Sequence, residues 1–202
     1  MKIIRTWAAW VIVIALVLGA CTPATPTPAP VVEEPTEAVT QAPVADPTAG
    51  TDPQNATYII EGQPVTLVNG TAETELAPGS ASTQVTKYFW NEVQLDLNGD
   101  GLTDTALLLT LDGGGSGTFF YVAAALNTGT GSLGTNAILL GDRIAPQSTN
   151  VDPNKPVQFI VNYADRKASE PMSSPPTVGV SRAFKVENNT MVEVGTPPTQ
   201  TP

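Results

Sequence analysis

Four oxygen-bearing side chains fall at positions 1, 3, 5 and 9 of one short stretch, Asp96-Leu97-Asn98-Gly99-Asp100-Gly101-Leu102-Thr103-Asp104. Alternate residues of a tight loop can turn their side chains toward one point. Three carboxylates and one amide carbonyl gathered in this way suit a hard cation, and Ca²⁺ takes about 6–8 such oxygens. Gly101, at position 6, permits the sharp turn because a positive φ costs little without a Cβ. The backbone carbonyl of Leu102, at position 7, is a further candidate ligand. With no cation the three carboxylates would repel one another. The competing reading is an acidic turn that holds nothing, since Asp, Asn and Gly dominate turns in general.

The stretch resembles the front half of an EF-hand loop, but position 12, a bidentate Glu in that motif, is Leu107. No helical pattern flanks it, and the β-type run Thr105-Ala106-Leu107-Leu108-Leu109 follows at once. It is more similar to the DxNGDGxxD-plus-strand calcium loop of FG-GAP/VCBS repeats. That resemblance implies Asp96, Asn98, Asp100, Leu102 through its carbonyl, and Asp104 as metal ligands, with a structural Ca²⁺ as the cofactor. Asp112 or a water is expected to supply the missing oxygen. A single copy is present, so a propeller of repeats is not implied.

Other groups are weaker signals. Asp142-Arg143 and Asp165-Arg166 are two acid–base pairs beside β-type runs. They form either a polar binding surface for a carboxylate or sugar, or strand-end ion pairs of small energetic weight. Asp112, Asp142, Asp165 and Glu170 are the acids available to a hydrolase that works with paired carboxylates on a glycan. Tyr88, Phe89 and Trp90 are consecutive, so in a regular strand they cannot share a face. One or two of them could form an exposed carbohydrate platform, the rest joining the core. Asp112-Gly113-Gly114-Gly115-Ser116-Gly117 lacks the helix and Lys of a phosphate loop and reads as a hairpin connection.

Composition removes whole classes of chemistry. The 202 residues include one Cys and no His, so Ser-His-Asp triads, Cys-His dyads and His/Cys zinc sites are excluded. Nine Lys and Arg against 19 Asp and Glu give a net charge of −10, which repels a phosphate backbone and argues against nucleic acid as a partner.

The elements that must carry these residues follow from the chain order. Lys2 and Arg5 precede an uncharged, mostly apolar run to residue 20, too short to span a bilayer comfortably. This has the layout of a secretory signal. It ends in Leu18-Gly19-Ala20-Cys21, which resembles the lipobox of bacterial lipoproteins. The resemblance implies cleavage before Cys21, a diacylglyceryl group on its thiol and an acyl chain such as palmitate on its amine. The expected location is the extracytoplasmic face of a cell membrane or outer membrane. Residues 21–56 read as the lipidated Cys and a disordered tether. Eight Pro and seven Thr lie between residues 22 and 56, with no Lys or Arg. Residues 195–202 read as a disordered tail.

Residues 57–194 remain for one domain. They show no long helical stripe, only short β-type runs between turn signals, so the expected class is all-β, a single β-sandwich or open barrel. Expected strands cover 58–60, 65–68, 71–76, 105–111, 118–126, 137–140, 157–163 and 178–186, with Thr83 to Leu95 as one long or bent strand. The runs 105–111 and 118–126 are apolar on both faces and read as central strands covered on two sides. Asn69-Gly70 and Asn188-Asn189 signal hairpins. Taken together, 77–82, 96–104, 140–147 and 161–166 are similar to a group of small bacterial lipoproteins. That similarity implies export and anchoring and brings no activity. The expected role is a lipid-anchored, calcium-stabilised module that binds an envelope protein or glycan or has a structural role, with a glycan hydrolase as the alternative.

Overall fold

The β pattern of the sequence has a simple outcome in the computed structural model, which describes residues 50–77 and 79–195. Cys21, the leader, residues 21–49 of the tether and residues 196–202 of the tail lie outside the described residues. Short extended runs broken by Gly, Asn and Pro become thirteen strands among the described residues. These are β1 (Thr57–Ile60), β2 (Gln63–Thr66), β3 (Thr71–Glu75), β4 (Thr83–Tyr88), β5 (Val93–Leu95), β6 (Asp104–Asp112) and β7 (Phe119–Asn127). After them come β8 (Ser132–Gly134), β9 (Ile138–Asp142), β10 (Ala145–Val151), β11 (Gln158–Asp165), β12 (Val178–Glu187) and β13 (Thr190–Val194). No helix among the described residues is long and apolar enough to cross a membrane.

The strands form three layers. The central sheet runs β3-β4-β6-β7-β8, with β5 also on β6 and β9 also on β7. A second sheet has the order β10-β11-β12-β13, and β1-β2 is a separate hairpin. Period-two alternation explains the layering. From β6 and β7, Ala106, Leu108, Phe120, Val122, Ala124 and Leu126 face the second sheet, where Phe159, Val161, Phe184 and Met191 meet them. Their neighbours Leu107, Leu109, Leu111, Tyr121, Ala123 and Ala125 face the hairpin layer, against Tyr58, Ile60 and Leu67. Both faces of β6 and β7 are therefore buried, as their unbroken apolar runs require. The protein is all-β.

Individual atoms tie the layers together. Asn136 bridges Ile59 through its backbone, while its side chain accepts from Met191 N at 2.7 Å and donates to Met191 O at 3.1 Å. Gly134 lies so close to the hairpin layer that a Cβ there would stand 2.3 Å from the Thr57 carbonyl oxygen. Only glycine permits that approach.

Four sequence expectations need correction. The tether does not run to residue 56, because the fold takes up the chain from Thr51. The Thr51 hydroxyl bonds that of Thr105, Gly70 N donates to Gln54 O at 2.8 Å, and Ala56 is buried. Pro53, which looked like tether composition, opens a 3-10 turn (Pro53–Asn55) capped by Asp52. Thr83 to Leu95 is not one strand, because Trp90 and Asn91 adopt left-handed backbone (φ 70° and 53°) and part β4 from β5. Strand β10 escaped notice because its sequence is polar and holds Pro146, which a sheet edge tolerates. Strand β8, three residues long, left no periodic signal.

Candidate functional site

The Asp96–Asp104 loop joins β5 to β6, and its turns are built from the acids themselves. Asp96 accepts from Gly99 N at 2.7 Å on Oδ1 and from Gly101 N at 2.9 Å on Oδ2. Asn98 Oδ1 accepts from Asp100 N at 3.0 Å, and Asp100 Oδ1 accepts from Leu102 N at 2.8 Å. The Asn98 amide also donates to Asp100 Oδ2 at 2.9 Å. Gly99 and Gly101 have φ of 81° and 86°, the left-handed values that let alternate side chains turn to the same side. Asn98 and Asp100 are exposed, and Asp96 is half-buried.

Asp104 behaves differently from the other acids. It is fully buried as the first residue of β6. Its Oδ2 accepts from Leu97 N at 2.9 Å and its Oδ1 from Asn127 N at 2.8 Å. It thus ties the loop's entry to the end of β7. Burial pushes its carboxyl above the usual carboxylate range. The two amides oppose that shift, and the charges of Asp100 and Asp96 add to it. None of the ion pairs among the described residues involves Asp96, Asp100 or Asp104.

The oxygen set is compatible with a hard cation. Each carboxylate oxygen of Asp96 and Asp104 takes one N–H and keeps a second lone-pair direction. Asn98 Oδ1, Asp100 and the Leu102 carbonyl complete a mixed donor set. No group of three or more His, Cys, Asp or Glu side chains among the described residues converges as a metal cage. A cation here would therefore rely on the amide and carbonyl oxygens as much as on carboxylates. Asp112 cannot contribute. It ends β6, eight residues beyond Asp104 and so about 27 Å away, and it accepts from Gly114 N at 2.9 Å within the β6–β7 hairpin. Leu107, in place of the EF-hand Glu, is core.

Asp142, Arg143, Asp165 and Arg166 do come together, at the β9–β10 turn and the end of β11. Asp142 pairs with Arg143 at 3.1 Å and accepts from Thr118 N at 2.9 Å. Arg166 is buried, and its guanidinium donates to the carbonyls of Arg143 (3.0 Å), Asp142 (3.3 Å) and Ser174 (2.5 Å). Asp165 accepts from Arg166 N at 2.7 Å. Arg166 thus holds two segments, the β9–β10 turn and the loop at Ser174, by their backbone carbonyls. Asp142, Arg143 and Asp165 keep partial exposure.

One feature lay outside the sequence reading and a second was reached only in part. Arg182 on β12 grips Glu193 on β13 with two 2.7 Å bonds, donates to Leu139 O at 2.8 Å, and lies 5.3 Å from the Phe184 ring centre. The signal that could have found this pair is the Asn188-Asn189 hairpin, whose register sets Phe184 opposite Glu193 and so Arg182 diagonally beside it. The second is a cleft of about 550 Å³ lined by Tyr88, Phe89, Trp90, Asn91, Pro146 and Gln147. Tyr88 packs into the hairpin-layer core and Phe89 meets Phe120 on the opposite face, as strand alternation requires, while left-handed Trp90 and Asn91 break the strand beyond them and leave Trp90 exposed. No carboxylate lines this cleft.

No protein-family model, curated protein or solved structure matches the chain.

Proposed function

We propose that this chain is a lipid-anchored extracytoplasmic lipoprotein whose β domain, stabilised by one structural Ca²⁺, serves as a binding or structural module of the cell envelope. Acyl chains on Cys21 hold it to the membrane, since several chains anchor stably where one is marginal. The Pro/Thr-rich segment sets the domain off from the lipid. Asp96, Asn98, Asp100, the Leu102 carbonyl and Asp104 hold the cation, which offsets the repulsion of three clustered acids. The observation that carries the calcium reading is a fully buried Asp104 beside Asp96 and Asp100, with no ion pair to any of the three among the described residues. The hydrolase reading finds less support, since the described cleft has no acid in its lining.

Melting the purified protein in EDTA and then in about 2 mM CaCl₂ tests the metal. For a Kd near 0.1 mM, typical of weak extracellular sites, mass action adds roughly 1.8 kcal/mol. That is on the order of 4–8 °C in Tm for a domain of this size. Asp100→Ala, at an exposed position, removes the shift and leaves the EDTA melt unchanged. Equal melts in EDTA and calcium would end the calcium reading. The anchor is tested separately. The wild type labels with an alkynyl fatty acid and enters the detergent phase on Triton X-114 partition, and Cys21→Ala does neither. An unlabelled wild type would rule out lipidation.

A further inference from the structure

We infer that the aromatic cleft between the β4–β5 turn and β10 is a binding site for a neutral oligosaccharide. The inference deepens the reading of the domain as an envelope binding module by naming its ligand class, and it does not depend on the calcium loop.

Both walls of the cleft are irregular backbone. On one side Trp90 and Asn91 are consecutive left-handed residues without being glycine. For a bulky aromatic such a φ is an outlier, and residues held this way cost on the order of 1–3 kcal/mol each. The turn is fixed from three directions. Phe89 N donates to Leu108 O at 2.9 Å, and Leu108 N donates to Trp90 O at 3.2 Å. The Tyr88 hydroxyl bonds Glu92. The Phe89 ring meets Phe120 edge-on, centres 5.0 Å apart at 85°. The core thus pins Phe89 while Trp90 stands 73% exposed, the most exposed large apolar side chain among the described residues. On the other wall the β10–β11 register slips between Pro146 and Ser148, which makes Gln147 the bulged residue. Bulges re-aim side chains, and here one joins the left-handed turn in lining a single cleft.

The lining defines the ligand. Trp90, Phe89 and Pro146 offer apolar surfaces, and Asn91 and Gln147 offer carboxamides that both donate and accept. None of the lining residues is charged. A ligand that matches must have apolar C–H faces, hydroxyl or amide groups at its edges and no net charge, which describes a pyranose chain. The volume lies within the roughly 300–1,000 Å³ of small-ligand clefts and exceeds what one sugar ring fills. Stacking on rigid aromatics with a few placed hydrogen bonds is an economical mode of recognition because little side-chain entropy is lost.

Trp90 itself reports on the site. The chain has three tryptophans, Trp7, Trp10 and Trp90. In the detergent-solubilised protein, with Trp7→Phe and Trp10→Phe covering any chain that keeps its leader, all tryptophan emission comes from Trp90. Titration with cellotetraose, with the N-acetylglucosamine tetramer and with maltotetraose, each up to about 10 mM, shifts that emission to the blue and saturates for at least one of them. Calorimetry with the same sugar gives binding at least tenfold weaker for Trp90→Gly, which keeps the left-handed backbone while deleting the ring, with the Tm held. Gln147→Ala weakens binding several-fold without changing the free emission spectrum. Three results would overturn the proposal: no response to any of the sugars, undiminished binding by Trp90→Gly, or saturation only by a synthetic peptide of residues 22–36. The last would make the cleft a site for extended proline-rich chain. Loss of the calcium-dependent melt leaves this titration untouched, so the two readings fail separately.

Discussion

Asp104→Ala lowers stability by about 2–4 kcal/mol, and it does so in EDTA as well as in calcium. The side chain satisfies two buried backbone donors, Leu97 N and Asn127 N. A buried donor left without a partner costs roughly 1–3 kcal/mol. Removing a desolvated carboxylate returns part of that sum, but the two orphaned amides outweigh it. Tm falls on the order of 10 °C. Asp104→Asn fares little better, because its amide group turns N–H toward one of the two donors. Asp100→Ala provides the contrast, since its site is exposed and its loss is expected to appear only when calcium is present.

The pH dependence carries the same information with a definite sign. The folded chain holds the Asp104 carboxyl above its ordinary value, so it binds that proton more tightly than the unfolded chain does. The corresponding stability is present below the unfolded value near ~3.9 and is lost as pH rises through the folded value. In EDTA, the gap between wild type and Asp104→Ala therefore widens as pH falls toward the ordinary carboxylate range, read from urea melts at each pH. A gap that stays constant across that window would show that folding does not raise this carboxyl's titration, and an EDTA melt unchanged by Asp104→Ala would show that it does not tie the loop to β7.

Arg182→Met costs about 2–3 kcal/mol, and Arg182→Met combined with Glu193→Leu recovers most of it. The pair is bidentate at 2.7 Å and its side chains are only 10% and 16% exposed. Removing one member of a fully buried pair costs about 3–5 kcal/mol, because the partner's charge stays behind without compensation. Residual exposure lowers that figure. Replacing both members with apolar groups of similar volume removes the stranded charge, which is why the double variant recovers. Arg182 also donates to Leu139 O across the two sheets, so the single variant loosens the contact of β9 with β12. Differential scanning calorimetry of the four proteins in the cycle measures the coupling. A single-variant loss below about 0.5 kcal/mol would place the pair with ordinary surface ion pairs.

These two effects also mark where sequence reading stops. The all-β class, the hairpin turns and the two-sided burial of β6 and β7 are local matters. Alternation of apolar residues states which faces are buried, and Asn-Gly or Asn-Asn states where the chain reverses. Asn188-Asn189, with φ of 50° and 61°, joins β12 to β13 as a hairpin, whereas Asn69-Gly70, with φ of 52° and 81°, reverses the chain through one Val68–Thr71 bridge and β2 and β3 join different sheets. The loop at 96–104 was legible for the same reason, as its turns are made by its own Asp and Asn side chains bonding amides two to five residues away.

What the local signal could not reach is whatever depends on a partner distant in the chain. The sequence by itself determined the β class, the acidic loop and the exclusion of His and Cys chemistry, because these rest on composition and on contacts within a few residues. The tertiary structure alone decided that Asp104 serves two backbone amides, one of them on β7, and that Arg166 spends its charge on three carbonyls. It also decided that residues 51–56 belong to the fold, since their partners lie in later strands and at the Asn69-Gly70 turn. The aromatic cleft is the clearest case. Two residues in left-handed backbone on one strand connection and a one-residue slip on β10 bring residues 88–91 and 146–147 to one place. Such backbone departures are set by the packing around them and leave no period in the sequence to be read.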